Sequence, residues 1–260
     1  MDLTAIQYLL GALSGSVVGF VLGLVGGGGS ILAVPLMVYL VGVPLPHMAI
    51  GTSALAVAAN AGVNLVPHAR AGTVKWRCAL MFAVAGVIGA FGGSTLGKAM
   101  DGQHLLLLFA LLMLVVGGLM LRQRGDPGNP DVQCHRENAP KVIGFGLATG
   151  LFSGFFGIGG GFLIVPALMA STTMPMRNAV GSSLVAVTAF GLAAALNYAW
   201  SGLVDWGLAA VFIGGGAIGG LAGARASHLL AARKGLLNTV FAALIFVVAG
   251  YMIWRGVLAL

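Results

Sequence analysis

Apolar residues in this chain run in long unbroken blocks, and polar residues are confined to the joints between them. In the first half the blocks cover residues 3–25, 30–43, 48–66, 74–100 and 105–121. A polar joint follows at 122–141, holding Pro127, Pro130, Pro140 and most of the mid-chain charge. The second half repeats the order at 142–156, 160–170, 176–198, 203–230 and 236–254. A bilayer span needs about 20 apolar residues at about 1.5 Å rise each. The second block of each half is too short, so its helix is expected to start at membrane depth, directly after the glycine cluster before it. The pattern predicts an all-α polytopic membrane protein. A first transmembrane repeat (1–121) and a second (142–260) flank a polar linker (122–141). Each repeat has about five helical segments and one short broken helix.

The two halves match residue by residue. Residues 23–35 read GLVGGGGSILAVP and residues 154–166 read GFFGIGGGFLIVP; seven of the thirteen positions are identical at an offset of 131. AIGTS at 49–53 pairs with AVGSS at 179–183, and GTVKW at 72–76 pairs with GLVDW at 202–206, now at an offset of 130. The chain is a duplicated unit. In membrane transporters, paired interrupted helices in corresponding positions of two halves mark a binding site.

Composition narrows the class. Hydrophobic residues make up 59% of the chain and charged residues 7%, against about 25% charged in soluble domains; the mean hydropathy is +1.02. The net charge of +7 reports topology in such a chain and does not point to nucleic acid. With the linker in the cytoplasm and sides alternating at every segment, eleven Lys and Arg fall inside. These are Arg70, Lys75, Arg77, Arg122, Arg124, Arg136, Lys141, Arg177, Arg225, Arg233 and Lys234, and only Lys98 and Arg255 fall outside. An odd number of segments per half then makes the second repeat inverted. The 68–77 joint carries three basic residues, whereas its counterpart, 198–206, carries none and has Asp205, as inversion requires. No cleavable signal peptide is expected, since Asp2 stands where a basic region belongs. Gly89/Gly93 and Gly219/Gly223 have the small-xxx-small spacing of closely packed membrane helices. Such faces serve intrachain packing or a homo-oligomer equally well. Cys78 and Cys134 form no C-x-x-C pair and are read as incidental, with no disulfide framework. Trp76, Trp200, Trp206 and Trp254 stand at segment ends, as interfacial belts do.

Candidate chemistry concentrates at the glycine breaks. A helix start leaves about four N–H groups without partners and carries roughly half a positive charge. Gly26, Gly27, Gly28 and Gly29 before Ser30, and Gly157, Gly159, Gly160 and Gly161, let a ligand approach such amides. The favoured guest is an anion. Gly51, Thr52 and Ser53, with Gly181, Ser182 and Ser183, add paired hydroxyls that can donate to an oxyanion. Asn60, Asn64 and Asn197 are membrane-depth amides, read first as helix–helix hydrogen bonds and second as ligand contacts. His47 and Arg177 align at offset 130 and are read either as cationic mouths for an anion or, for Arg177, as a positive-inside anchor. No Asp or Glu falls well inside an apolar block, and His68, His104 and His228 lie near block ends, where interfacial roles are expected. No metal, cofactor or enzymatic chemistry is expected, since no nucleophile–base pair or ligand cluster exists.

The duplicated GLVGGGGSILAVP and GFFGIGGGFLIVP segments, with the AIGTS and AVGSS runs after them, resemble the sulfite exporter TauE/SafE family of integral membrane transporters. The resemblance covers essentially the whole chain outside the linker. It implies movement of small sulfur-containing anions, such as sulfite or small organosulfonates, across the bacterial inner membrane. Some relatives take up thiosulfate by paired cysteine chemistry, and this chain has no such pair in its apolar blocks, so thiosulfate uptake is not expected. The partners expected are a small sulfur oxyanion and the lipid bilayer. The functional expectation is a secondary transporter working in the direction of export, with a passive anion channel as the alternative.

Overall fold

In the computed structural model, residues 4–122, 134, 138–157, 161–230 and 245–255 are described. Helix α1 (Ala5–Val25) starts at Thr4, whose side chain and that of Gln7 form a reciprocal capping box. The chain then tightens into a 3-10 turn at Gly26–Leu32, passes through a single α turn, α2 (Ala33–Pro35), and widens into a π-turn at Leu36–Leu40. The expected short α-helix of the first half is therefore a mixed helix. Four consecutive glycines favour no single helical pitch, and Pro35 supplies no N–H to the α ladder. Its far end returns beside the start of α1, where Gln7 Nε2 donates to the Val41 carbonyl at 3.2 Å.

Next come α3 (Pro46–Arg70), α4 (Trp76–Ala99), α5 (Gly102–Arg122), α6 (Ala139–Phe156), α7 (Gly161–Thr172), α8 (Met176–Trp200), α9 (Trp206–Leu230) and α10 (Ile245–Arg255). Both ends of α8 lie 130 residues after those of α3, and α9 starts 130 after α4. Helices α1, α3, α4, α6, α8 and α9 contain segments long and apolar enough to cross a membrane. Val84, Ile88, Leu196, Ile218 and Val247 are between 66% and 73% exposed, an outer surface suited to acyl chains rather than water.

The halves interlock through glycine. Gly11, Gly15, Gly19 and Gly23 of α1 face Leu208, Phe212, Gly216 and Gly220 of α9, so these helices run in the same direction. Phe82, Gly86 and Ala90 of α4 face Gly146, Gly150 and Gly154 of α6, again in the same direction. By contrast, α3 and α8 run antiparallel, with Gly51 against Tyr198 and Ala58 against Gly191. Gly89 and Gly93 approach the α6 backbone, and Gly219 and Gly223 approach that of α1. The small-residue faces read from the sequence are thus used within the chain. Dispersion contact and close backbone approach, not hydrophobic burial, hold such pairs together in lipid.

One expectation is corrected. Cys78, at the start of α4, and Cys134, in the linker, form a disulfide. They are 56 residues apart in sequence, and only the fold brings Cys134 to α4. Both are buried.

Candidate functional site: two broken helices joined across the halves

Helix α1 ends at Gly26, with φ of 73°, and α6 ends at Gly157, with φ of 63°. A side chain is strained in such backbone, which glycine adopts freely. Both positions are also crowded: a Cβ on Gly26 would overlap Val180, and one on Gly157 would overlap Ile50. These two contacts are counterparts, since Gly157 follows Gly26 by 131 and Val180 follows Ile50 by 130. Each break therefore packs on the residue just before the other half's Gly-hydroxyl motif.

Beyond the breaks, the two stretches meet. The Gly161 N–H donates to Ser30 Oγ at 3.1 Å, in a buried setting. Ser30 and Gly161 are themselves equivalent at offset 131, so the bond joins like positions of the two halves. Gly161 is the first residue of α7, and its N–H is one of the donors that a helix start leaves without an internal acceptor. The Ser30 oxygen supplies that acceptor. Gly28 and Gly29 are buried alongside, Gly29 against the α1 backbone at Val21 and Leu22. Gly26 and Gly27 open the 3-10 turn. Gly159 and Gly160 lie outside the described residues.

The paired hydroxyls divide their roles in the same way in each half. Thr52 Oγ1 accepts from the Asp205 N–H at 2.9 Å, and Ser182 Oγ accepts from the Lys75 N–H at 2.9 Å. These bonds are counterparts too, and each ties one half to the joint before the other half's fourth helix. Ser53 Oγ donates to the Ile50 carbonyl at 2.9 Å and Ser183 Oγ to the Val180 carbonyl at 2.7 Å, the back-bonding that hydroxyls in membrane helices commonly show. Gly51 lets the Leu203 carbonyl come close, and Gly181 does the same for Thr73. The structure thus brings Ser30 and Gly161 into direct contact and sets the Gly-hydroxyl motifs around the breaks as inter-half fasteners.

Of the other candidates, Asn197 fastens α8 to α4. Its Nδ2 donates to Ser94 Oγ at 2.6 Å and Thr95 Oγ1 at 2.9 Å, and its Oδ1 accepts from Lys98 Nζ at 2.7 Å. Lys98 Nζ also reaches the Asn197 carbonyl at 3.0 Å and Ser201 Oγ at 2.8 Å, a cation placed at the carbonyl end of α8 where the helix dipole favours it. Sequence reasoning finds in Lys98 only a topology marker; a lysine in the last turn of an apolar helix is the signal that points further. Asn64 Nδ2 donates to the Asn60 carbonyl at 2.9 Å, whereas the Asn60 amide itself has no partner. His47 Nε2 lies 3.0 Å from the Met100 carbonyl, and Arg177 is exposed at the start of α8. Among the described residues no three His, Cys, Asp or Glu gather into a metal site.

Comparison with known proteins agrees with this architecture. The family model "Sulfite exporter TauE/SafE" matches residues 11–252. A "Probable membrane transporter protein" of Xylella fastidiosa (strain 9a5c) is 55% identical, with 94% of each chain covered. The "Probable membrane transporter protein YunE" of Bacillus subtilis is 26% identical over 84% of this chain and 88% of its own. The "Probable membrane transporter protein MJ0441" of Methanocaldococcus jannaschii is 25% identical over 70% of each. No solved structure matches. A duplicated set of apolar helices, joined at buried glycine breaks and matched over nearly its whole length, makes this chain a multi-pass inner-membrane transporter belonging to the sulfite exporter TauE/SafE family.

Proposed function

We propose that this protein is a secondary transporter that exports a small sulfur oxyanion, sulfite or a small organosulfonate, by alternating access around the Ser30–Gly161 junction. The observation that carries the reading is the meeting of both glycine breaks, one from each half, at a buried helix start. An anion displacing the serine oxygen gains the α7 amide donors and the positive end of its dipole. The Ser30 hydroxyl then turns to donate to it. Thr52 and Ser182 each accept one N–H, and a hydroxyl also carries a hydrogen to give; Ser53 and Ser183 would join the shell only by releasing the Ile50 and Val180 carbonyls.

Helix register supports an inverted relation between the halves. Equivalent third segments α3 and α8 run antiparallel, and the first segment of each half runs parallel to the fourth of the other. Rocking one half against the other would then open the junction to each side in turn. The Lys/Arg asymmetry favours a cytoplasmic linker. That face is reducing, and disulfides persist in oxidising compartments. Cys78 and Cys134 are therefore expected to be alkylated in acid-quenched cells and bonded only after the purified protein is oxidised. A bond already present in quenched cells would reverse the assigned sides.

Anion binding tests the proposal directly. Thermal shift of the purified protein would compare sulfite, sulfoacetate, taurine, thiosulfate, sulfate and chloride. One sulfur oxyanion is expected to stabilise, by about 2.7 kcal/mol at a hundredfold excess over its Kd. Substituting Gly28 with leucine is expected to remove the effect. No response to any sulfur anion would remove the substrate assignment. In vesicles, saturable counterflow is expected; its absence would indicate a channel of the same fold.

A further inference from the structure

Asn60 lies well inside α3 with no exposed surface, and neither its Nδ2 nor its Oδ1 has a hydrogen-bond partner. The amide presses on Gly216 of α9, where a Cβ would overlap it. The other half provides an internal control. The residue equivalent to Asn60 at offset 130 is Phe190, and it presses on Gly86, the equivalent of Gly216. The same slot between a third and a fourth segment is filled by an amide on one side and a phenyl ring on the other. Packing alone does not require the amide. Asn64 continues the difference one turn on: it faces Gly23 and Gly220, and its counterpart is Ala194.

A hydrocarbon core supplies no water to a stranded amide. Amides at that depth ordinarily bond to a neighbouring helix, as Asn197 does, and a buried group without a partner calls for an explanation. A carboxamide offers a donor and an acceptor side by side, and here both are open. Its complement is a group that presents an acceptor beside a donor. A fully deprotonated oxyanion has acceptors only and would set an anionic oxygen against Oδ1. A singly protonated oxyanion, with an O–H next to an O⁻, satisfies both atoms.

We propose that Asn60 is a selectivity residue that engages the singly protonated form of the transported oxyanion when α9 moves off α3. This rests on the oxyanion-transport reading and names the protonation state carried. The proton then travels on the substrate. Within about two turns of Asn60, Gly19, Phe190 and Gly216, helices α3, α1, α8 and α9 carry no ionisable Asp, Glu, His, Lys or Arg, so the pH dependence arises in the substrate.

The test is initial flux in reconstituted vesicles between about pH 6 and pH 8, with sulfite and with methanesulfonate, which stays deprotonated throughout. Wild-type sulfite flux is expected to follow the bisulfite fraction, falling as pH rises through the second ionisation of sulfite near neutrality. Asn60→Leu, whose apolar side chain has a precedent in Phe190, is expected to melt like wild type. It is expected to lose about tenfold or more of sulfite flux at the acidic end, the loss typical of hydrogen bonds to a charged partner, while methanesulfonate flux does not fall and rises where Oδ1 had opposed it. Asn60→Ala gives the same reading without added bulk if the leucine variant does not fold. Sulfite flux within about twofold of wild type in a folded variant would overturn the inference and leave the transport reading intact. Wild-type flux of methanesulfonate without sulfite would do the same. Flux of neither anion by wild type would overturn both.

Discussion

Gly219→Val is expected to prevent α1 and α9 from seating. The glycine sits against the Ser16 backbone, and a Cβ there would overlap the carbonyl group. Backbone cannot swing aside as the end of a flexible side chain can, so the cost falls at the upper end of overpacking, about 3 kcal/mol. Gly214, on the same helix, has open space where a Cβ would go, with no heavy atom within 4 Å. Gly214→Val is expected to change stability by no more than about 0.5 kcal/mol. Thermal melts of the two detergent-solubilised variants separate a clash in the seam from the ordinary consequence of valine in a helix. Equal melting temperatures would mean that the seam is not tightly packed.

The second large effect concerns the break itself. Gly157→Ala forces a side chain into left-handed backbone at about 1–2 kcal/mol and drives a methyl group into Ile50 at about 1–3 kcal/mol. Together these give a loss of about 2–5 kcal/mol. The two causes can be pulled apart. Ile50→Ala makes room for the methyl group but leaves the backbone conformation unchanged. In a double-mutant cycle the pair is expected to be more stable than the sum of the single effects, by about the overlap cost. Additive effects would show that Ile50 does not press on the break. Because Gly157 leads into the stretch before α7, the single variant is also expected to abolish anion-induced stabilisation. The double variant should regain part of it.

Much of this architecture is legible in the chain. Among the described residues the apolar blocks locate the helices to within a few residues, the start of the last block lying outside them, because in lipid a backbone must satisfy its own hydrogen bonds and long apolar runs leave helix as the available form. The repeat offset locates every inter-half counterpart: Thr52 with Ser182, Gly26 with Gly157, Ser30 with Gly161. Glycine clusters mark both breaks, since few other residues tolerate the backbone found at Gly26 and Gly157.

Partnership is not legible. Nothing in the sequence of α1 says that its glycines meet α9 rather than its own half's α4, because small residues permit close approach without naming the partner. From the sequence, the hydroxyls of Thr52 and Ser182 are expected to line the site; the fold adds a role the sequence does not show, each accepting an N–H from a joint of the opposite half. That role depends on where Asp205 and Lys75 lie in space. A separation of 56 residues gives no reason to pair the cysteines. Nor can the sequence show that Asn60 is stranded while Asn197 is fully bonded; both are asparagines at membrane depth, and their difference is set by what the neighbouring helix presents.

Composition and period alone therefore determined the solvent, the helices, the duplication and the break points, since each follows from local backbone demands in lipid. Tertiary structure decided which helices pair, which hydroxyls are occupied, and that Ser30 and Gly161 touch. Those outcomes depend on close approach between segments far apart in the sequence, where side-chain shape and register, not local propensity, select one arrangement.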